Sequence, residues 1–229
     1  MHRSKTALGI IMWGLSAGGM AQPAYLPEDL IQLNETQNCI QCDLSSTRIE
    51  NRHFPDNYFT DAYFTNAFLH ELQLINVNFQ RANFTYAQIY HCNAKNSDFS
   101  HAYFEWANID SSHFENSNLS SLNFINSKIN ACYFNSARFT ATTFKKVSLT
   151  KSNLTKVDFK DATLIDVDLS DSNLSFTDFT NAHFENVILD NAILFGSNIN
   201  DTQLENVKSM RCTILPDGSL NEADGTYNC

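Results

Sequence analysis

Positive charge is scarce in this sequence, which has 15 lysine and arginine residues against 25 aspartate and glutamate residues and a net charge of −10. Proteins that bind nucleic acids neutralise phosphate groups with clustered lysine and arginine side chains. The composition therefore argues against nucleic acid as a partner. Long apolar runs are scarce as well, because no stretch beyond residue 21 has the length of a membrane span. We expect no membrane-spanning segment there.

The sequence also lacks the residue pairs that build metal sites and catalytic centres. Its C-x-x-C motif, formed by Cys39 and Cys42, is half of a zinc site or a redox motif, and no second pair follows it. The seven histidines do not pair with cysteine or carboxylate at ligand spacing. We therefore predict no catalytic residue, no metal site and no cofactor, and we do not expect an enzyme.

What the sequence has is an apolar residue at every fifth position from Leu44 to Leu204, without an insertion. A helix repeats its buried face about every 3.6 residues and a strand about every 2, so neither explains a period of five. Two residues before each apolar position lies a second column of mostly Ala, Ser, Thr, Val or Cys. The other three places are rich in Asn, Asp, Ser, Thr and Lys. This pattern predicts a repeat architecture in which two of every five side chains point inward.

The apolar positions show a second order at a spacing of twenty. One column consists of isoleucine and leucine without aromatics, whereas phenylalanine fills most of another column: Phe64, Phe84, Phe104, Phe124, Phe144 and Phe184, interrupted by Leu164. If each five residues form one side and four sides form one turn, these columns stack in register. Coils about 4.8 Å apart then give a rod of some eight coils and about 40 Å.

The five-residue unit, with a small residue, Asn or Asp, Leu or Phe and two polar places, resembles that of the pentapeptide repeat family. The segments ARFTATTF, SNLTKVDF and DATLIDVDLSDSNL carry the resemblance. It implies an all-β fold, a right-handed quadrilateral β-helix of about eight coils. It also implies an alternative function, because some family members imitate DNA, occupy a type II topoisomerase and confer quinolone resistance.

Residues 1–21 are typical of a secretory signal peptide, with a basic start, an apolar run from Ala7 to Ala17 and small residues up to a cleavage site near Ala21. The apolar run is too short to span a membrane. We therefore expect a mature protein in the periplasm or outside the cell.

The mature chain divides into three predicted segments. Residues 22–38 contain Pro27, Glu28 and Asp29, which favour a short helical cap over the first coil. Residues 39–208 form the β-helix, and residues 209–229 form a C-terminal cap that contains a Pro-Asp-Gly turn. Arg52 and Asn57 stand where a small inward residue belongs, so the first coils are expected to be distorted.

In an exported protein, cysteines favour disulfides. We predict bonds between Cys39 and Cys42, and between Cys212 and Cys229, so that the second bond closes the C-terminal cap. Cys92 and Cys132 lie in the inward small column, forty residues apart. Two coils separate their Cα atoms by about 9.5 Å, beyond the limit of about 7 Å for a disulfide. They are predicted to be buried free thiols.

The exposed aromatic residues are the most informative surface feature. Tyr86 and Trp106 are twenty residues apart and should stack on neighbouring coils, with Tyr103 on the same side of the rod. Exposed, contiguous aromatic residues often mark contacts with proteins or sugars. The alternative is a ladder of rings that only stiffens the stack.

Charge is also uneven along the rod. A band of lysines is followed by a stretch rich in aspartate and glutamate that contains no cation until Lys208, and the band consists of Lys145, Lys146, Lys151, Lys156 and Lys160. Such a band is either a solvated surface or an electrostatic docking face.

The sequence thus predicts an exported, non-enzymatic rod, monomeric, that serves as a protein-interaction or structural module. Its partner is an unidentified protein or glycan. Two alternatives stay open, namely a glycan-binding surface on the aromatic side and a DNA mimic that acts on a type II topoisomerase. The signal peptide counts against the DNA mimic, because it removes the protein from the cytoplasm.

Overall fold

The chain is seen in a computed structural model that describes residues 27–221 and Cys229. The predicted signal peptide and its cleavage site near Ala21 lie outside the described residues. Among the described residues, no helix is both long and apolar enough to cross a membrane.

The fold is a β-solenoid, as expected from the sequence. Two short helices and fourteen short strands alternate with turns in the described part of the chain. The helices are α1 (Pro27–Thr36) and α2 (Asp201–Leu204). The strands are β1 (Arg48–Glu50), β2 (Phe68–His70), β3 (Gln88–Tyr90), β4 (Asn108–Asp110), β5 (Asn123–Ile125), β6 (Lys128–Asn130), β7 (Thr143–Lys145), β8 (Ser148–Thr150), β9 (Thr163–Ile165), β10 (His183–Glu185), β11 (Val187–Ile188), β12 (Val207–Ser209), β13 (Thr213–Ile214) and β14 (Leu220–Asn221).

The strands of the two large sheets pair in parallel with the residue twenty positions further on, so one coil takes twenty residues. One side of the rod is a six-stranded sheet in the order β1-β2-β3-β4-β6-β8, and an adjoining side is a four-stranded sheet in the order β10-β9-β7-β5. Phe124 pairs with Phe144, for example, and Ile129 with Leu149. The other two sides pair through single bridges at the same spacing, such as Tyr58 with Asn78. The predicted four-sided stack of about eight coils is confirmed.

The core is a set of stacked like side chains. Phe84 lies on Phe104 at a ring-centroid distance of 4.7 Å and an interplanar angle of 7°, and Phe124 lies on Phe144 at 5.2 Å and 10°. Rings from the neighbouring side pack edge to face against this column, as Phe139 does against Phe144 at 69°. Burial of these side chains is the main source of stability, since each contributes about 1.5 to 3 kcal/mol relative to exposure.

The small inward column is polar as well as small because its hydroxyl groups join adjacent coils. The Ser97 hydroxyl donates to the Leu74 carbonyl at 2.6 Å and accepts from the Val77 amide at 2.9 Å. Thr142 and Ser172 repeat the donation to Leu119 and Leu149. Serine or threonine here satisfies buried backbone groups, so it is not a defect in the core.

The turns restrict which residues can occupy one of the three outward places. Every fifth residue from Gln41 to Gly196 has a φ between 49° and 69°. Side chains branched at Cβ are genuine outliers in this left-handed region, and none of these positions holds Val, Ile or Thr. Asn and Asp tolerate it best among residues with a side chain. Their side chains also form ladders between coils, as Asn181 does with Asp161 at 3.1 Å.

A valine at such a turn is expected to destabilise the rod. Ser136 is an exposed residue with a φ of 58°. Ser136→Val should lower the free energy of unfolding by about 1 to 3 kcal/mol because the left-handed backbone is strained for a β-branched residue. Ser136→Asn is the control and should lose nothing. Urea denaturation of both variants measures the difference, and equal stabilities would contradict this account of the turns.

The helix α1 lies against the N-terminal coil. Leu33 of α1 is fully buried in the core, and the Asp29 carboxylate accepts from the Asp43 amide at 2.7 Å. Arg52 and Asn57 contact the C-terminal end of α1. Arg52 donates to the Asn34 side chain at 3.2 Å, and Asn57 donates to the Gln37 carbonyl. The two side chains that break the small column thus connect the cap to the coil.

The C-terminal coil differs from the sequence prediction. Leu204, expected to be the last inward apolar residue, lies half-buried in α2. Gln203 is buried instead and donates to the carbonyls of Phe179 and Ala182 at 2.8 and 2.9 Å. The spacing of twenty survives this helix, because Val187 still pairs with Val207. It shifts by one residue just afterwards, so that Ile188 pairs with Ser209 and Ile193 with Ile214, each twenty-one residues later. The expectation that Leu204 is an inward residue is therefore wrong, whereas the spacing of twenty holds as far as Val207.

Pairing between coils also continues past residue 208. Gly196 donates its amide to the Pro216 carbonyl at 2.8 Å, and the Thr213 hydroxyl donates to the Leu189 carbonyl at 2.6 Å in the manner of the small column. The antiparallel pair β13–β14 follows. The segment predicted to be a separate cap from residue 209 thus begins as part of the last coil.

Candidate functional site

The predicted aromatic surface has Tyr86 and Trp106 as a stacked pair. Their ring centroids are 6.2 Å apart with an interplanar angle of 14°, and each residue is 53% exposed. Both lie at left-handed turn positions, with φ of 60° and 56°. The turn directs both side chains outward, and the column continues as asparagine on either side, at Asn66 and Asn126.

Tyr103, the third residue of the predicted site, is 45% exposed and lies on the same side of the rod. It belongs to a neighbouring column, in which it bridges to Asn83 and Asn123. Within the described residues, its ring is in stacking contact with neither Tyr86 nor Trp106. The structure therefore brings two of the three predicted residues into direct contact.

The sequence analysis missed a second group of outward side chains on the six-stranded sheet. The Arg48 guanidinium lies 3.9 Å from the centre of the Phe68 ring, and Phe68 contacts Tyr90 at 5.7 Å between ring centroids. His70 and His91 lie nearby, in edge contact at 5.7 Å. Since these residues are 20 to 22 positions apart, a search of outward columns for aromatic residues could have found them.

The sequence analysis also missed a stack of His113 on Tyr133, with ring centroids 4.6 Å apart and planes 4° from parallel. Glu115 lies beside it, with a carboxylate oxygen 3.0 Å from His113 Nδ1 and 3.2 Å from Lys95 Nζ. Burial acts to raise the pKa of Glu115, but hydrogen bonds from His113 and Lys95 outweigh it and lower the pKa. The spacing of twenty residues between His113 and Tyr133 could have revealed this stack in the sequence.

Several carboxylates of the acidic coils have cationic partners in neighbouring segments. Asp178 lies 2.9 Å from Lys160 Nζ, and Asp190 is bound by the Arg211 guanidinium. Burial acts to raise the pKa of Asp178, but hydrogen bonds from Thr180, Lys160 and Asn198 hold it well below its usual range. These carboxylates therefore stay charged while their charge is partly neutralised.

The cysteines form three separate sites in the structure. Cys39 bonds to Cys42 and Cys212 bonds to Cys229, with Cα–Cα distances of 5.2 and 5.4 Å. Cys92 and Cys132 are free and buried. No group of three or more His, Cys, Asp or Glu side chains in the described ranges is arranged to hold a metal ion.

Two family models match this chain over the coils described above. The model "Pentapeptide repeats (8 copies)" matches residues 58–93, 69–100 and 97–135, and the model "Pentapeptide repeat region" matches residues 137–216. Together they cover more than half of the chain. This chain belongs to the pentapeptide repeat family.

Several solved pentapeptide repeat proteins are similar to it. HetL, involved in heterocyst differentiation regulation in the cyanobacterium Nostoc sp. strain PCC 7120, is 15% identical, with 85% of this chain and 98% of HetL covered and a TM-score of 0.37. QnrB1, a plasmid-mediated fluoroquinolone resistance protein, is 18% identical, with coverages of 76% and 86% and a TM-score of 0.41. A thylakoid lumen protein of Arabidopsis thaliana is 20% identical, with coverages of 45% and 68% and a TM-score of 0.36. No curated protein matches the chain significantly.

Proposed function

We propose that this pentapeptide repeat protein is an exported, non-enzymatic rod that binds another protein through its outer surface. The observation that carries the proposal is the exposed Tyr86–Trp106 stack on a rod whose interior is filled. A gap inside the first coils is lined by apolar core side chains such as Phe59, Phe64 and Leu72. It offers no polar group to a substrate, so recognition falls to the surface.

Export is supported by the disulfides and by the sequence of the N-terminus. Disulfides persist in oxidising compartments and are rare in the cytosol, and both terminal coils carry one. Fractionation of producing cells tests this part. We expect a mature chain that begins near residue 22 in the exported fraction. Full-length protein confined to the cytoplasm would contradict export.

A protein is favoured over a glycan as the partner of the aromatic pair. A sugar packs on the open face of an aromatic ring, whereas Tyr86 and Trp106 lie nearly parallel and each turns one face toward the other. Aromatic side chains that pack closely are also frequent anchors of protein interfaces. Glycan binding remains the second candidate, because both residues are more than half exposed.

The aromatic pair is tested by the double substitution Tyr86→Ala and Trp106→Ala. The partner captured by the mature rod from exported fractions should bind at least about tenfold more weakly to this variant, since anchor residues carry most of the binding energy. The free energy of unfolding should change by less than about 1 kcal/mol, because both side chains are exposed.

Tyr133→Ala is the matched control, since Tyr133 is an exposed ring stacked on another coil. It should leave partner affinity unchanged. Equal affinity of the double variant and the unchanged protein would remove the aromatic pair from the interface, and extensive unfolding would make the pair structural. A glycan array with the same variants decides between protein and glycan.

The DNA-mimic alternative is less well supported by the charges. A mimic of DNA needs continuous rows of carboxylates that present unneutralised charge. In the acidic coils Asp166 and Asp171 keep their charge. Asp178 and Asp190, however, are bound by Lys160 and Arg211, so the rows are interrupted. We therefore expect no inhibition of supercoiling by gyrase with the mature protein. Inhibition that is lost on replacing the acidic side chains would support the mimic instead.

A further inference from the structure

The two coils that contain residues 141–160 and 161–180 have opposite charges. The first contains five lysines and one aspartate, and the second contains five aspartates and no lysine or arginine. Adjacent coils stack at the spacing of β-strands, about 4.8 Å. A positive band therefore lies directly beside a negative band.

Both kinds of charge border one flat side of the rod, the six-stranded sheet and its continuation. In the coil of residues 141–160, Lys146 and Lys151 lie at the two turns that bound this side, with φ of 55° and 56°. Asp166 and Asp171 lie at the same turns in the next coil, with φ of 55° and 60°. Each lysine thus shares a column with an aspartate. Between the columns the side presents the small polar residues Ser148, Thr150 and Ser170. It also presents Asp168, whose carboxylate accepts hydrogen bonds from the Ser170 amide and hydroxyl.

Within the described residues, these four charges are not neutralised by ion pairs. In the part of the chain that the structure describes, neither Lys146 nor Lys151 has a carboxylate within salt-bridge distance. Asp166 and Asp171 accept hydrogen bonds from the amides of Asn186 and Asn191, at 3.2 and 3.0 Å, and these neutral donors leave the negative charge in place. Lys160, on another side, is by contrast bound to Asp178.

We propose that this side of the rod binds a second copy of the same chain in an antiparallel arrangement. An interface with two-fold symmetry must be self-complementary, so that if one residue contacts another, the reverse contact also occurs. We place a two-fold axis in the plane of the interface, perpendicular to the rod and midway between the two coils. Rotation about this axis sets each column of one copy against the same column of the second copy, with its direction along the rod reversed. Lys146 then faces Asp166 of the second copy, and Lys151 faces Asp171 of the second copy. Each pair occurs twice.

Charge complementarity selects this arrangement over a parallel one, which would place lysine against lysine and aspartate against aspartate. Asn126 and Asn186 extend the Lys146 column on either side and would meet in the same way, so that hydrogen bonding continues beyond the charges. The dimer replaces the monomer that the sequence predicts. It goes beyond the proposed function, because it concerns self-association through charged residues other than Tyr86 and Trp106.

The expected affinity is modest and depends on salt. Exposed ion pairs contribute only a few-fold each, and ions screen charges over about 10 Å at 0.1 M salt. We expect a dimer with a micromolar Kd in sedimentation velocity at low ionic strength, which dissociates when salt is raised to about 0.5 M. A monomer at every protein concentration in low salt would overturn the proposal.

Charge exchange gives the decisive test. Each substitution copies the residue that its own column holds one coil away, so the turn conformation is retained. Lys146→Asp with Lys151→Asp makes both bands negative, and Asp166→Lys with Asp171→Lys makes both positive. Each double variant should self-associate at least about tenfold more weakly. An equimolar mixture of the two should form a heterodimer, and the chain with all four changes should dimerise as before.

Lys156→Asp is the matched control, because Lys156 belongs to the same coil but to a turn that does not border this side, diagonally across the rod from Lys146. It should leave association unchanged. Far-ultraviolet circular dichroism confirms that each variant is folded. Self-association of both double variants equal to that of the unchanged protein, or no association in their mixture, would contradict the antiparallel interface.

Discussion

Replacing Phe124 by alanine is expected to lower the free energy of unfolding by about 3 to 5 kcal/mol. The ring is fully buried and lies between Phe104 and Phe144, at centroid distances of 5.0 and 5.2 Å. The coils on either side are joined by backbone hydrogen bonds to the residues twenty positions away. The cavity left by the ring cannot close without breaking this pairing, so the full cost is expected.

Phe124→Leu is the matched control for this prediction. The same column contains Leu164, which pairs with Phe144 and Phe184 in the rod. Leucine is therefore compatible with the column and should cost less than alanine, about 1 to 2 kcal/mol. Urea denaturation gives both values. A loss below about 1 kcal/mol for Phe124→Ala would contradict the packing described here.

The free thiols should be nearly unreactive in the folded protein, whereas the four terminal cysteines should be oxidised. Burial raises the pKa of both Cys92 and Cys132 to about 12, from an ordinary value of 9.0. Since the thiolate is the reactive form, labelling near neutral pH should slow by on the order of a thousandfold, before the loss of access is added. Denaturation should release this protection.

Mass spectrometry of unreduced, alkylated peptides measures both parts of the prediction. We expect the bonds Cys39–Cys42 and Cys212–Cys229, with Cys92 and Cys132 alkylated only after denaturation. A bond between Cys92 and Cys132 would contradict the coil of twenty residues, because the two positions are two coils apart. The variant with serine at both positions should fold, since Ser97 and Ser172 fill the same kind of place.

The same thiols make stability fall at high pH. Their pKa is higher in the folded chain than in the unfolded chain, so folding is favoured fully below pH 9 and this contribution is lost as the pH rises toward about 12. The chain with serine at both positions should lose less stability over this range. Denaturation curves at several alkaline pH values measure the difference, and identical pH dependence would contradict burial of the thiols.

The sequence predicts the coils well because each inward place repeats a simple requirement. Phe124 and Phe144 occupy the same column, and the spacing alone is enough to place one ring on the other. The interruption at the last coil was harder to predict. There Asn200 and Gln203 exchange side-chain and backbone hydrogen bonds at the start of α2, and this capping box favours a helical turn over the next side of the rod.

The surface contacts were predicted only where they follow a single column. Tyr86 and Trp106 share one, and their stacking follows from the spacing of twenty. Phe68 and Tyr90 belong to different columns, and their contact depends on the side-chain rotamers and on the width of the sheet between them. Tyr103 shows the reverse case, since it shares a side with Trp106 but makes no ring contact with it.

The regular coil links the length of the chain to the direction of its surface features. Trp106 and Lys146 lie in one column two coils apart, which separates them by about 9.6 Å along the rod. Insertion or deletion of twenty residues between them would change this distance by about 4.8 Å and leave both on the same edge. A change of five residues would turn everything beyond it by a quarter of a circle. The distance between the two surfaces along the rod can therefore change in steps of one coil. Their relative orientation around the rod can change separately, in steps of one side.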